Sequence, residues 1–142
     1  LNDTIGSDHA PHLKKNKEKI YPNSPSGMPG VQTLVPVMLN HVNEGRLTLE
    51  QFMNFVCENP VKIFGIKDKG YIKQGFDADF TIVDLNKVIE IKNENIQSKC
   101  GWSPFNGYKF KGTPVATIVN GDIKMKDGKI LGEPKGQPIV FK

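Results

Sequence analysis

The hydrophobic period of the chain changes once, near Ile66, and that change restricts it to folds that join helices to a sheet. Before Ile66, Leu34, Val35, Met38, Leu39 and Val42 recur at helical spacing and predict a helix over about 33–44 with one apolar face. Pro36 is compatible because it falls in the first turn, where its missing N–H has no partner to lose, and Gly45 supplies the stop. Thr48, with Gln51 three residues later and Leu47 and Phe52 flanking, has the pattern of a capping box with a hydrophobic staple. Leu49, Phe52, Met53 and Val56 continue that helix as its buried stripe. Asn59-Pro60 predicts a further short helix, with Asn59 as cap and Pro60 at the first helical position, ended by Gly65.

After Ile66 the helical period disappears. Lys67-Asp68-Lys69-Gly70 is a polar hinge, and Ala78 to Asp84 predicts a strand buried on both faces, followed by another over Val88 to Ile91. Val115 to Val119 leads into Asn120-Gly121, a two-residue hairpin signal, and the alternating return strand from Ile123 to Lys126 ends at a second turn, Asp127-Gly128. The expected organisation is α/β material over residues 1–66 and an all-β segment over 67–142.

Bulk properties remove several classes of function. The net charge of +4 rests on lysine, with Arg46 the only arginine. Bidentate recognition of phosphate and guanine relies on arginine, and no basic stripe interleaved with aromatics occurs, so a nucleic-acid partner is not expected. No apolar run approaches the ~20 residues of a membrane span, and Leu1-Asn2-Asp3-Thr4 has neither region of a signal peptide. The expectation is a soluble, cytoplasmic protein. Cys57 and Cys100 lie far apart, outside any CxxC pattern, and read as two reduced thiols, with Cys57 a small buried residue of a helix.

The stretch with chemistry is Ile5-Gly6-Ser7-Asp8-His9-Ala10-Pro11-His12, which places a carboxylate and two imidazoles within five residues. Residues 2–7 read as a short strand that delivers Asp8 at its carboxyl end, where α/β enzymes gather their catalytic loops. A carboxylate there can take a proton from an activated water and pass it to a leaving nitrogen, and it can ligate a metal. Asp and His are equally at home as caps and turn formers. A catalytic zinc needs about three protein ligands, and this segment offers one, Asp8. The long Pro/Gly/Ser loop from Tyr21 to Gly30 reads as a functional loop beside it, His41 as a surface or edge histidine, and Asp77 and Asp79 as turn residues leading into a strand.

Five stretches in this order and spacing resemble the C-terminal third of dihydroorotases, in the cyclic-amidohydrolase branch of the amidohydrolase superfamily. They are Ser7-Asp8-His9-Ala10-Pro11-His12, Ser24-Pro25-Ser26-Gly27-Met28-Pro29-Gly30-Val31-Gln32-Thr33, Glu58-Asn59-Pro60-Val61-Lys62-Ile63-Phe64-Gly65, Gly75-Phe76-Asp77-Ala78-Asp79-Phe80-Thr81-Ile82-Val83-Asp84 and Ser98-Lys99-Cys100-Gly101-Trp102-Ser103-Pro104-Phe105. The resemblance implies an α/β fold: the end of a TIM-type (β/α)8 metal-dependent hydrolase barrel, with strand eight and the helices after it, over 1–66, and the C-terminal part of a small composite β-sandwich over 67–142. It implies that Asp8 is both a metal ligand and the general acid/base, that His12 binds the substrate carboxylate with backbone contacts from Ala10, and that Ser26 and Gly27 meet the pyrimidine ring. His9 has no family role and reads as a hydrogen-bonded turn histidine. Trp102 and Phe105 read as core anchors of a loop that joins the β segment to the barrel.

The implied reaction is the reversible, zinc-dependent hydrolysis of dihydroorotate to N-carbamoyl-aspartate in de novo pyrimidine (UMP) biosynthesis, with one or two zinc ions. The family's N-terminal His-x-His pair, bridging acid, two further metal histidines, and substrate-gripping Arg and Asn have no counterpart here. The expected partners are therefore the small-molecule substrate and the missing N-terminal part, with a homo-oligomer as an option, and the chain by itself is expected to be inactive. Three alternatives stand beside this reading: another cyclic amidohydrolase of hydantoinase or allantoinase type, a non-catalytic dihydroorotase-like structural partner, and a self-contained binding module.

Overall fold

The computed structural model describes residues 3–142, so the first residue of the strand expected over 2–7 lies outside the described residues. The elements run α1 (Lys14–Lys17), α2 (Leu34–Asn43), α3 (Leu49–Met53), a π-helical turn (Asn54–Glu58), α4 (Asn59–Phe64), β1 (Phe80–Glu90), a 3-10 turn (Asn93–Asn95), β2 (Lys109–Val119), β3 (Asp122–Lys126) and β4 (Lys129–Ile130). All four strands form one antiparallel sheet in the order β1-β2-β3-β4. The chain is thus α/β, with its helices in the first half and its sheet in the second.

Local chemistry explains most of these boundaries. α2 ends in a Schellman motif: Gly45 at φ +70° lets the Arg46 N–H reach the His41 carbonyl and the Gly45 N–H reach the Val42 carbonyl, both at 3.0 Å. Both bonds of the Thr48 capping box are present, the Gln51 N–H donating to Thr48 Oγ1 at 3.1 Å and the Thr48 N–H to Gln51 Oε1 at 2.7 Å. The two hairpin turns have left-handed residues in pairs, Asn120-Gly121 at φ +49° and +82° and Asp127-Gly128 at +48° and +80°, which matches strand twist.

Several expectations need correction. Residues 3–8 form no strand, because a strand is made by a ladder and this segment finds only scattered partners. Ile5 N–H donates to the Phe55 carbonyl at 3.4 Å, and His9 makes a single bridge to Met28. Asn59 is not a cap. It lies inside one continuous helical run, and its side chain instead donates to the Asp3 carbonyl at 2.7 Å. Pro60 removes a helical N–H and crowds the preceding turn, and the π-helical turn Asn54–Glu58 widens the helix at that place. Cys57, on this turn, is half-buried, and burial with help from Glu58 pushes its thiol up. The two strands expected before Ile91 are one, β1, which continues through an irregularity between Asp84 and Val88. Nor is β1 buried on both faces: Ile82 is 50% and Val88 58% exposed. The lysine-rich run after His12 holds the short helix α1, which the sequence pattern did not reveal.

Packing joins the two halves where α2 lies against β2. Leu39, with no exposed surface, meets the backbone of Gly112, where an added Cβ would come within 2.7 Å of the Leu39 Cβ. Burying such a leucine contributes on the order of 2 kcal/mol. Asparagines on α2 complete the seam: Asn40 Oδ1 accepts the Lys111 N–H at 2.9 Å, and Asn43 Nδ2 donates to the Leu85 and Lys111 carbonyls at 3.0 Å each. Phe105 and Phe110 pack edge to face at 5.5 Å, with Tyr108 beside both, and close the end of the sheet.

Asp77 and Asp79 both pair with Lys69, Asp77 at 2.8 Å. Asp79 Oδ1 also accepts the Asn120 N–H at 2.8 Å, which fastens the first hairpin turn to the polar hinge. The Lys69 ammonium, followed by the Asn120 N–H, holds the Asp79 carboxyl below its ordinary value, and the hydrogen bonds that Lys69 donates to Asp77 and Asp79 hold it above its own. A depressed carboxyl stabilises the fold fully above its unfolded pKa of about 4 and loses that stabilisation as pH falls through the folded value. Lys69 stays charged throughout that range, since its contribution fades only above the ordinary lysine pKa. Urea unfolding of Asp79→Asn should therefore show a deficit against wild type at pH 7 that shrinks toward zero below about pH 4.

Candidate active site

The segment from Ser7 to Ala10 and the loop from Gly27 to Val31 are brought together by several contacts. The Ala10 N–H donates to the Met28 carbonyl at 2.9 Å, beside the His9–Met28 bridge. Gly27 and Gly30 explain how the two backbones approach so closely. A Cβ on Gly27, at φ +83°, would come within 2.6 Å of the Ala10 Cβ, and one on Gly30 within 2.7 Å of the Ser7 carbonyl oxygen. Of the expected site residues, Ala10 and Gly27 are in contact, with Ser26 next in the chain.

Asp8 is exposed at the turn and takes a left-handed backbone, φ +42°, which Asp tolerates better than most non-glycine residues. His9 points its chemistry at the backbone: Nδ1 accepts the Gly30 N–H at 3.1 Å and lies 3.4 Å from the Val31 nitrogen. An accepting Nδ1 assigns the proton of the neutral ring to Nε2. His9 is thus the hydrogen-bonded turn histidine that its setting suggested, and it pins the loop that leads into α2. His12 has an exposed side chain on a backbone held from both sides. Its N–H donates to the Ala10 carbonyl at 2.9 Å, and its carbonyl accepts the Trp102 indole N–H at 2.8 Å. The Ala10 N–H is engaged by Met28, so a ligand carboxylate at Ala10 has to share that donor.

Two contributors were missed in the sequence. Gln32 clamps the loop around the 3-10 turn, Nε2 donating to the Asn95 carbonyl at 2.9 Å and Oε1 accepting the Gln97 N–H at 2.8 Å. Trp102 reaches His12 across 90 residues of sequence. Its motif marked it as a packed residue, and the need of a half-buried indole N–H for an acceptor was the available clue. His41 plays no part here: it lies beside Glu44 at 3.5 Å, at the end of α2.

A catalytic zinc takes about three protein ligands. Among the described residues no three His, Cys, Asp or Glu side chains gather into a metal-binding group. His9 Nδ1 is occupied, and Asp8 offers one carboxylate where about three protein ligands are needed. The described residues do not form a zinc cage.

Residues 1–124 match the family model described as the amidohydrolase family, and the chain belongs to that family. Among curated relatives, it is 44% identical over 138 residues to a dihydroorotase of Pyrococcus furiosus, covering 97% of this chain and 32% of that protein. It is 39% identical over 127 residues to a dihydroorotase of Methanothermobacter thermautotrophicus, covering 89% of this chain and 30% of the relative. Among solved structures, an L-hydantoinase (dihydropyrimidinase) from Arthrobacter aurescens superposes with TM-score 0.87 at 39% identity, over 92% of this chain and 30% of that one. A dihydropyrimidinase from Brevibacillus agri superposes with TM-score 0.84 at 26% identity over the same shares. The chain spans about a third of the length of the relatives it matches. No described helix is long and apolar enough to cross a membrane.

His9→Ala removes the acceptor for the buried Gly30 N–H while leaving the Ala10–Met28 bond in place. Hydrogen exchange at the Gly30 amide should accelerate by about tenfold, with a loss of stability of about 1–2 kcal/mol, and the amides of β2 should be unaffected.

Proposed function

We propose that this chain is the acid/base and substrate-carboxylate end of a dihydroorotase, acting in de novo pyrimidine biosynthesis. The single observation that supports the reading is the seating of the Ser26-Gly27 loop on Ala10, which lies two residues from Asp8 and two from His12 in the chain. The 44% identity to a dihydroorotase over nearly the whole chain supports the choice of substrate. In this reading residues 1–66 are the end of a (β/α)8 barrel, from strand eight onward, and residues 67–142 are part of a composite β-sandwich, with the remainder of both in the portion of the relatives that this chain does not span.

Hydrolysis adds water across the ring amide of dihydroorotate: oxygen bonds to the carbonyl carbon, the C–N bond breaks, and the nitrogen gains a proton. Asp8 takes the proton from the attacking water and returns it to the departing nitrogen, and ring closure runs the same transfers in reverse. His12 binds the substrate carboxylate by a charge-assisted hydrogen bond, and Ser26 and Gly27 cover the ring. Zinc is the metal this reading calls for, with Asp8 as the ligand proposed from this chain. A small-molecule substrate in the cytoplasm, and no nucleic acid, completes the proposal.

The hydantoinase likeness supports a second reading, a cyclic amidohydrolase whose substrate lacks the carboxylate. The complete chain, assayed with dihydroorotate and with hydantoin, distinguishes them. Dihydroorotate turnover should fall at least about 100-fold in kcat in Asp8→Asn, and His12→Ala should raise KM for dihydroorotate about tenfold with a smaller change in kcat. Preferential turnover of hydantoin, indifferent to His12→Ala, would establish the second reading in its place.

A further inference from the structure

We infer that Trp102 is a positioning residue for the site: its indole N–H, donated from the loop after the 3-10 turn, sets His12 for binding the substrate carboxylate. This rests on the dihydroorotase reading of His12. A relay of hydrogen bonds carries the inference. Met28 O accepts from Ala10 N, Ala10 O accepts from His12 N, and His12 O accepts from Trp102 Nε1, at 2.9, 2.9 and 2.8 Å. Both peptides flanking the His12 Cα are thereby held, one by the site segment and one by the sheet side of the molecule. With the backbone held, only the side-chain torsions of the exposed imidazole are left to be set on binding.

The far end of the relay is itself anchored. Buried Ser103, next to Trp102, donates its N–H to Asn93 Oδ1 at 2.9 Å, and its hydroxyl accepts the Phe105 N–H at 3.2 Å. The Asn93 N–H in turn donates to Asn106 Oδ1 at 2.8 Å. Gln32 ties the same loop to the entry of α2 through Asn95 and Gln97. The segment 93–106 therefore holds both margins of the rim, His12 on one side and the stretch after Gly30 on the other. A ligand group placed within a few tenths of an ångström binds markedly better than one that must be ordered on binding, since the ordering entropy is already spent.

The test is a double-mutant cycle on the complete chain with dihydroorotate as substrate. Trp102→Phe keeps an aromatic ring and drops the N–H; KM should rise roughly five- to tenfold with kcat within about twofold. In the His12→Ala background the same replacement should add less than about twofold, because its effect runs through His12. If Trp102→Phe does not fold, the benzothienyl isostere of tryptophan, which replaces only the N–H by sulfur, takes its place in the cycle. Equal losses in the presence and absence of the His12 imidazole, or a fall in kcat without a change in KM, would overturn the inference and mark Trp102 as a packing residue. Unaltered kinetics in Trp102→Phe would overturn it as well. A complete chain with no turnover of dihydroorotate would overturn the dihydroorotase reading and this one together.

Discussion

The contact of α2 with β2 is the interaction on which the rest of the structure depends. Leu39 is fully buried against a glycine whose missing side chain lets helix and strand approach, and Asn40 and Asn43 bond the Lys111 N–H and the Lys111 carbonyl beside that contact. Without it the sheet has no layer to pack on, since a small antiparallel sheet is stable only with one face covered. Because α2 begins where the Pro/Gly/Ser loop ends, the same contact sets the position of that loop relative to everything downstream.

From that seam the site follows by short-range polar geometry. His9 and the Ala10–Met28 bond hold the loop to the Asp8 segment, and Gly27 and Gly30 remove the atoms that would keep the two apart. On the other flank, segment 93–106 reaches over from the sheet through Gln32 and Trp102. The site is thus a rim of three backbone segments, each held by bonds to another, with the Asp8 carboxylate and His12 imidazole exposed on it. Membership of the amidohydrolase family gives this rim its chemical context, the chain covers about a third of the relatives' length, and among the described residues no three metal-ligating side chains gather.

Much of the fold was legible because its signals are local. The Gly45 stop, the Thr48–Gln51 capping box and the Asn120-Gly121 and Asp127-Gly128 turns depend on a few adjacent residues, and the structure contains each of them. The errors occur where a distant partner decides. Asn59-Pro60 has the pattern of a helix start, yet a wide turn upstream accommodates the proline and frees Asn59 to bond Asp3. Residues 3–8 read as part of a strand that delivers Asp8, yet they lack a ladder. The irregularity inside β1 reads as a break between strands when only one strand of the pair is visible.

For the site, the sequence by itself determined which residues are the candidates for chemistry, Asp8 and His12, and which glycines leave room beside them, because residue type and local φ preference are properties of single positions. Tertiary structure alone decided that His9 spends its imidazole on the Gly30 N–H, that Gln32 clamps the 3-10 turn, and that Trp102 meets the His12 carbonyl. A hydrogen bond between residues 90 apart leaves no periodicity and no motif at either end. Its partners are chosen by where the packing of α2 on the sheet places two loops, and that choice becomes visible only when the chain has closed on itself.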